Sequence, residues 1–138
     1  MRITSESDYA LRIITAMSKR SDVTDAKTLA EETNVTLRFT LKILNKLVCG
    51  GMVESYKGAK GGYKLKLSPE EISLKMVIEL IDGPIAIVRC LESAECCSLN
   101  QDKTACEYHR IFDHISFDLA SKLGKITISD VINKNYKL

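Results

Sequence analysis

Apolar residues return at helical spacing from the start of the chain. Ala10, Ile13, Ile14 and Met17 fall at i, i+3, i+4 and i+7, which predicts an amphipathic helix over residues 6–19. Ser5, with Asp8 three residues later, fits a capping box at its start. Ser21-Asp22-Val23-Thr24-Asp25 is a polar break rich in capping residues, and a short helix through Leu29 and Ala30 follows, ending near Thr33-Asn34. Thr36 then caps a third helix, which Gly50-Gly51 stops. Its pattern puts Leu37, Leu41, Leu44 and Val48 on one face and Arg38, Phe39, Lys42, Asn45 and Lys46 on the other.

Past that helix the period shortens to two. Residues 52–56 and 63–67 read as strands, with Lys64 and Lys66 alternating with Leu65 and Leu67, and Lys57-Gly58-Ala59-Lys60-Gly61-Gly62 between them fits a hairpin turn. Ser68-Pro69-Glu70-Glu71 combines a cap residue, a first-position proline and an acid, so a helix is expected from there through Leu74, Val77, Ile78 and Ile81, ending at Asp82-Gly83-Pro84. A short apolar stretch over 85–88 leads into a polar loop. A long helix is then expected from about 103 to 123, with Tyr108, Phe112, Ile115, Leu119 and Leu123 striped at spacings of 4, 3, 4 and 4. Residues 128–132 are expected to form a last short helix. There are no repeats and no low-complexity segment.

The predicted fold is mainly α with a small β-hairpin wing: a winged helix-turn-helix over 1–83, a cysteine-rich loop over 84–106, and a long C-terminal dimerisation helix with the final segment over 103–138. In such an arrangement the third helix enters the major groove and the hairpin tip reaches the backbone or minor groove. The C-terminal stripe, with Phe112, Ile115, Leu119 and Leu123, reads equally as core or as the seam of a homodimer.

Charge sharpens this picture. The 138 residues carry a net charge of only +2, yet residues 36–67 hold Arg38, Lys42, Lys46, Lys57, Lys60, Lys64 and Lys66 against Glu54 alone, which is +6, leaving −4 elsewhere. A basic island on a helix and hairpin is the footprint of a polyanion partner. Thr36, Arg38, Phe39, Thr40 and Lys42 are expected to face the major groove, and Lys57, Lys60 and Tyr63 to make the wing contacts. Arg38 is the candidate for a bidentate guanine contact, and the lysines suit phosphate. With no tryptophan and three phenylalanines, a base-stacking single-strand binder is not indicated. No apolar run approaches a membrane span, and residues 1–5 carry no signal-peptide segment, so a cytoplasmic location without membrane association is expected.

Four of the five cysteines cluster in Cys90-x5-Cys96-Cys97 and Cys106-x2-His109. Cys106 and His109 lie three apart at a helix start, so both point to one face. Four cysteines within 17 positions of a polar loop are not core placement, and metal or cluster ligation is the reading they favour. Three cysteines and a histidine suit zinc as well as iron, but the paired tight knuckles usual for zinc are absent. Cys49 reads as a packed thiol and His114 as a surface residue.

Taken in order, Ser7-Asp8-Tyr9-Ala10-Leu11-Arg12, Lys57-Gly58-Ala59-Lys60-Gly61-Gly62-Tyr63, Pro69-Glu70-Glu71-Ile72-Ser73-Leu74 and the late cysteine loop resemble the Rrf-type family of bacterial winged-helix regulators. That family includes the iron–sulfur cluster assembly regulator, the nitric-oxide-sensitive repressor and the cysteine metabolism repressor. The resemblance spans nearly the whole chain. It implies a homodimeric repressor that binds a double-stranded DNA operator and takes no small-molecule substrate. It also implies an iron–sulfur cluster on Cys90, Cys96 and Cys106, with Cys97 as a substitute for Cys96. His109 as fourth ligand matches a 2Fe–2S type, which is favoured; Asp8 matches the alternative, a 4Fe–4S site completed by a carboxylate from the other subunit. Two departures stand out: nine residues separate Cys96 from Cys106, and Lys57 replaces the arginine usual at the wing tip.

The expected function is therefore a DNA-binding regulator whose affinity follows cluster status, oxidants or nitric oxide. The alternative within the fold is a cluster-free regulator using Cys90, Cys96 or Cys97 as redox thiols, or a partner protein. A zinc or thiol enzyme using Cys106 and His109 is the remote alternative, since the chain has no C-x-x-C, no H-E-x-x-H and no phosphate loop.

Overall fold

The computed structural model describes residues 3–93 and 105–137. Three helices come first: α1 (Ser5–Ser18), α2 (Ala26–Thr33) and α3 (Leu37–Cys49). The hairpin β1 (Val53–Tyr56) and β2 (Gly62–Leu65) follows, then α4 (Leu74–Asp82), a 3₁₀ turn (Arg89–Leu91), α5 (Glu107–Gly124) and α6 (Ile128–Asn133).

Each early helix begins where a short polar side chain meets its free N–H groups. Thr4 accepts from the Ser7 N–H, Asp25 from Thr28 and Thr36 from Phe39. The α1 cap is Thr4 and not Ser5, and Asp8 takes no part in it. The acid that completes this end comes from 78 residues away: Asp82, at the end of α4, accepts from both the Thr4 N–H at 3.1 Å and its hydroxyl at 2.5 Å. Burial alone would raise the Asp82 pKa, but the Thr4 hydroxyl and N–H hold it below its ordinary value.

The start of α4 also departs from the expectation at Ser68. Residues 68–71 close a local turn, in which the Ser68 N–H donates to the Glu71 carboxylate at 2.8 Å and the Glu71 N–H to the Ser68 carbonyl at 3.0 Å. The chain then runs extended through Ile72 and Ser73 because both pair with the segment before α6: Leu74 N–H donates to Ile126 and Ile128 N–H to Ile72, each at 2.9 Å. Only after this bridge does Ser73 cap α4. Tertiary pairing overrides the local start signal.

The core lies where α1, α2 and α3 meet over α4, α6 and the base of the hairpin. Ala10, Ile13, Ile14, Leu29, Ile43, Leu44, Leu47, Ile72 and Val77 are fully enclosed. Burying each of the larger aliphatic side chains is worth about 1.5–3 kcal/mol. On α3 the buried positions are Thr40, Ile43, Leu44 and Leu47, a face rotated from the expected Leu37, Leu41, Leu44 and Val48. Leu37 and Leu41 are 46% and 43% exposed. Two overlapping apolar stripes run along this helix; either leaves Arg38, Lys42 and Asn45 in water, and packing against α1 and α2 selects the inner one.

The two strands pair antiparallel in the register Val53–Leu65 to Tyr56–Gly62. The hairpin is fastened to the body by a backbone bridge: Tyr63 N–H donates to Thr24 at 2.8 Å and Thr24 N–H to Tyr63 at 2.9 Å. Gly62, at φ 154°, makes the close approach that allows it.

The long helix α5 packs on α4 and on the 3₁₀ turn, and Ser116 is its one buried residue among those described. The Ser116 hydroxyl donates to the Phe112 carbonyl and accepts the Ile87 N–H at 3.1 Å, tying the segment before the cysteines to mid-helix. Tyr108, Ile111, Ile115 and Phe117 are 75%, 49%, 44% and 70% exposed, while Phe112, Leu119 and Leu123 are half-buried. Among the described residues no helix is long and apolar enough to cross a membrane.

Candidate nucleic-acid interface

The wet face of α3 is built by helical spacing alone: Arg38, Lys42, Asn45 and Cys49 recur at intervals of 4, 3 and 4, and all are exposed. Arg38 makes no ion pair among the described residues. Thr36 is exposed at the helix start, with its hydroxyl oxygen 3.4 Å from the Phe39 N–H that it caps. Phe39, 45% exposed, meets Tyr9 of α1 edge-on at 6.3 Å between ring centroids, and the Lys42 ammonium lies 5.9 Å from the Phe39 ring centre. Arg38, Phe39 and Lys42 together line a surface hollow.

Two expectations on this helix are corrected. Thr40 is fully buried, so it belongs to the core and not to a groove contact; its hydroxyl has no hydrogen-bond partner among the described residues. Cys49 is exposed rather than packed, because the rotation that buries Thr40 turns position 49 outward.

On the wing, Lys57, Lys60, Lys64 and Lys66 are all exposed. The one acid of the island, Glu54, accepts the Tyr56 hydroxyl at 2.9 Å, and that bond together with the carboxylate charge raises the Tyr56 pKa. Tyr63 is half-buried against the core and bridged to Thr24, so it anchors the hairpin rather than reaching outward with the lysines.

Sequence reasoning missed the residue that faces this helix from within. Glu6 of α1 lies 3.1 Å from the Lys42 ammonium and 2.8 Å from that of Lys46. The Lys46 ammonium beside it holds the Glu6 carboxyl below its ordinary value despite partial burial, with Lys42 adding to the effect. Neither spacing nor composition links position 6 to positions 42 and 46; the signal lies in how α1 crosses α3.

Of the cysteine constellation, Cys90 sits in the 3₁₀ turn and Cys106 is the cap residue of α5; both are free and half-buried. The Cys106 sulfur is not spent on capping the helix. His109, one turn into α5, is half-buried, whereas His114 is exposed and 3.6 Å from Asp118. Cys96 and Cys97 lie outside the described residues. Among the described residues no three His, Cys, Asp or Glu side chains converge on one point. Asp8 pairs with Arg12 at 2.5 Å, both half-exposed, and the Arg12 guanidinium lies 5.5 Å from the Tyr9 ring centre.

Comparison with known proteins agrees with this geometry. Residues 3–134 match the family model of Rrf2, described as an iron-dependent transcriptional regulator. The chain is 29% identical over 141 residues to the HTH-type transcriptional regulator IscR of Vibrio atlanticus, covering 98% of this chain and 77% of that protein. It is 27% identical over 137 residues to IscR of Aliivibrio salmonicida, covering 98% and 79%. Among solved structures, CymR, the global cysteine regulator of B. subtilis, superposes with a TM-score of 0.77 at 22% identity, covering 99% of both chains. IscR of T. potens superposes at 0.76 with 17% identity, covering 99% of this chain and 89% of that one. These likenesses establish the winged-helix fold, and the relatives are transcriptional regulators rather than enzymes. The chain belongs to the Rrf2 family of DNA-binding transcriptional regulators.

Proposed function

We propose that this regulator is a homodimeric repressor that reads its operator with α3 and the wing, and whose DNA affinity is controlled by an iron–sulfur cluster. Arg38 supplies the base contact, Thr36, Phe39 and Lys42 border it, and Lys57 and Lys60 hold phosphate. The observation that carries the DNA reading is the joint exposure of Arg38, Lys42, Lys57 and Lys60 on one helix and one hairpin. Arg38→Ala should reduce discrimination between operator and random DNA, while Lys57→Ala should weaken binding to all sequences and flatten the salt slope by about one. Both mutants binding like wild type would sink the assignment.

The donor set fits a cluster. Cys90 and Cys106 are unbonded thiols on two segments that pack together, and His109 stands one turn beyond Cys106. Cys90, Cys96 and Cys106 would hold it, with His109 in a 2Fe–2S site or Asp8 of the other subunit in a 4Fe–4S site, and Cys97 able to replace Cys96. When bound, the cluster supplies iron that reacts with oxidants or nitric oxide. Cys90 of the turn, and Cys106 and His109 at the start of α5, are the described residues that would hold it. Changing Cys90, Cys96 or Cys106 to Ala should leave colourless protein; His109→Ala should alter the spectrum if imidazole ligates, and Asp8→Ala should do so if the carboxylate does. Identical spectra in all of these would refute the ligand set.

The free state of Cys90 and Cys106, and the fold shared with a cysteine regulator, favour as second reading a cluster-free thiol sensor. Anaerobically purified protein without colour or iron would select it. The dimer seam is the apolar side of α5 with Phe112, Ile115, Leu119 and Leu123, extended by the exposed Tyr108 and Ile111. A C2 pair would present two recognition helices to two half-sites.

A further inference from the structure

Glu6 stands in the first turn of α1, yet its carboxylate is spent on α3. One oxygen lies 3.1 Å from Lys42 and the other 2.8 Å from Lys46, and the Glu6 side chain is only 20% exposed. The second oxygen is out of contact with water and, though Lys46 stands close enough for an ion pair, it accepts no well-aligned hydrogen bond from the described residues. The lysines differ in how firmly they are held. Lys46 is 36% exposed and also feels the charge of Asp82 across the end of α4. Lys42 is 55% exposed and rests over the Phe39 ring, 5.9 Å from its centre, so its ammonium can exchange Glu6 for another anion with a small side-chain movement.

We propose that Glu6 is an internal substitute for DNA phosphate, a positioning residue that withholds Lys42 and Lys46 from non-specific duplex and thereby raises the specificity of the interface. Sequence-independent affinity comes almost wholly from lysine and arginine neutralising phosphate. Pairing two cations of α3 with an inward carboxylate removes them from that total while leaving Arg38, the proposed base reader, without an ion pair among the described residues. On random DNA nothing offsets the loss of the Glu6 pairs. On an operator, base contacts by Arg38 hold α3 in the groove and bring phosphate close enough to compete for Lys42.

The inference rests on the reading that α3 faces DNA, and the experiment separates the two. Binding of wild type, Glu6→Gln, Arg38→Ala, Lys42→Met and Lys57→Ala to operator and to random duplex is measured across a salt series, with melting curves alongside. Glu6→Gln should bind random duplex about tenfold more tightly at low salt, with a slope steeper by about one to two, and gain less on operator. The gain should vanish when Lys42 and Lys46 are also changed to Met. Unchanged or weaker random binding by Glu6→Gln overturns the proposal, as does a gain that persists without the two lysines. Should Glu6→Gln fail to fold, the single lysine variants decide: Lys42→Met should cost less random-DNA affinity than Lys57→Ala, which removes a lysine with no ion pair among the described residues, and the reverse order overturns it. If Arg38→Ala retains full discrimination, the failure belongs to the groove reading instead.

Discussion

Replacing Gly62 by alanine tests how the wing is held. Gly62 has φ 154°, and a Cβ there would sit 2.5 Å from the Thr24 carbonyl oxygen, 2.8 Å from its carbon and 3.0 Å from the Asp25 nitrogen. All three are backbone atoms and cannot rotate away. The Thr24 carbonyl is also the acceptor for Tyr63, so relieving the clash breaks the bridge of two hydrogen bonds at 2.8 and 2.9 Å. Two such bonds contribute about 2 kcal/mol together, and an alanine forced to positive φ adds about 1–2 kcal/mol. The sum of about 3–4 kcal/mol corresponds to a fall in Tm of about 10 °C for a chain of this size. Gly58 is the control: it has φ 100°, but nothing lies within 4 Å of its added Cβ, so Gly58→Ala should show only the backbone strain. Thermal melts followed by circular dichroism give the stability, and binding to random duplex reports whether Lys57 and Lys60 have moved. A Tm for Gly62→Ala within about 2 °C of that for Gly58→Ala would show that the Thr24 bridge does not fasten the wing.

Thr40→Val should leave DNA binding unchanged and keep or raise Tm, because it removes a buried hydroxyl without a partner; weakened operator binding would restore Thr40 to the interface. Ile115→Asp with Leu119→Asp should give monomer or insoluble chain in sedimentation, and a stable dimer would move the seam away from α5. Glu6 and Asp82 have folded-state pKa values below their ordinary ones, so their stabilisation is fully present above those ordinary values and is lost as pH falls through the folded values. Urea midpoints should therefore fall below about pH 5, and Glu6→Gln should make that fall shallower; a midpoint independent of pH down to about 3 would contradict the pairs.

The order of elements was legible because each carries a local signal: Thr36 and the stop at Gly50-Gly51 frame α3, and the change to period two marks the hairpin. What local signals could not decide was the choice between two apolar stripes on α3, since Leu37 and Leu41 are as apolar as Ile43 and Leu47. Contact with α1 and α2 made that choice, and it moved Thr40 inward and Cys49 outward. The start of α4 was misread at Ser68 because the competing pairing of residues 72–74 with residues 126–128 spans more than fifty positions. Of the interface, Arg38 and the wing lysines were visible as charge, whereas Glu6 was invisible because its partners are 36 and 40 residues away. The cysteine spacing was plain, although Cys96 and Cys97 fall outside the described residues.

A single protein sample can link cluster to DNA directly. Protein purified without air should be brown, contain iron and sulfide, and bind its operator; titration with nitric oxide or oxygen, followed by visible absorption and DNA occupancy in the same cuvette, should change operator affinity at least about tenfold in step with bleaching. A colourless, iron-free or zinc-containing protein with unaltered operator affinity would contradict the cluster-controlled reading and leave the DNA-binding face standing alone.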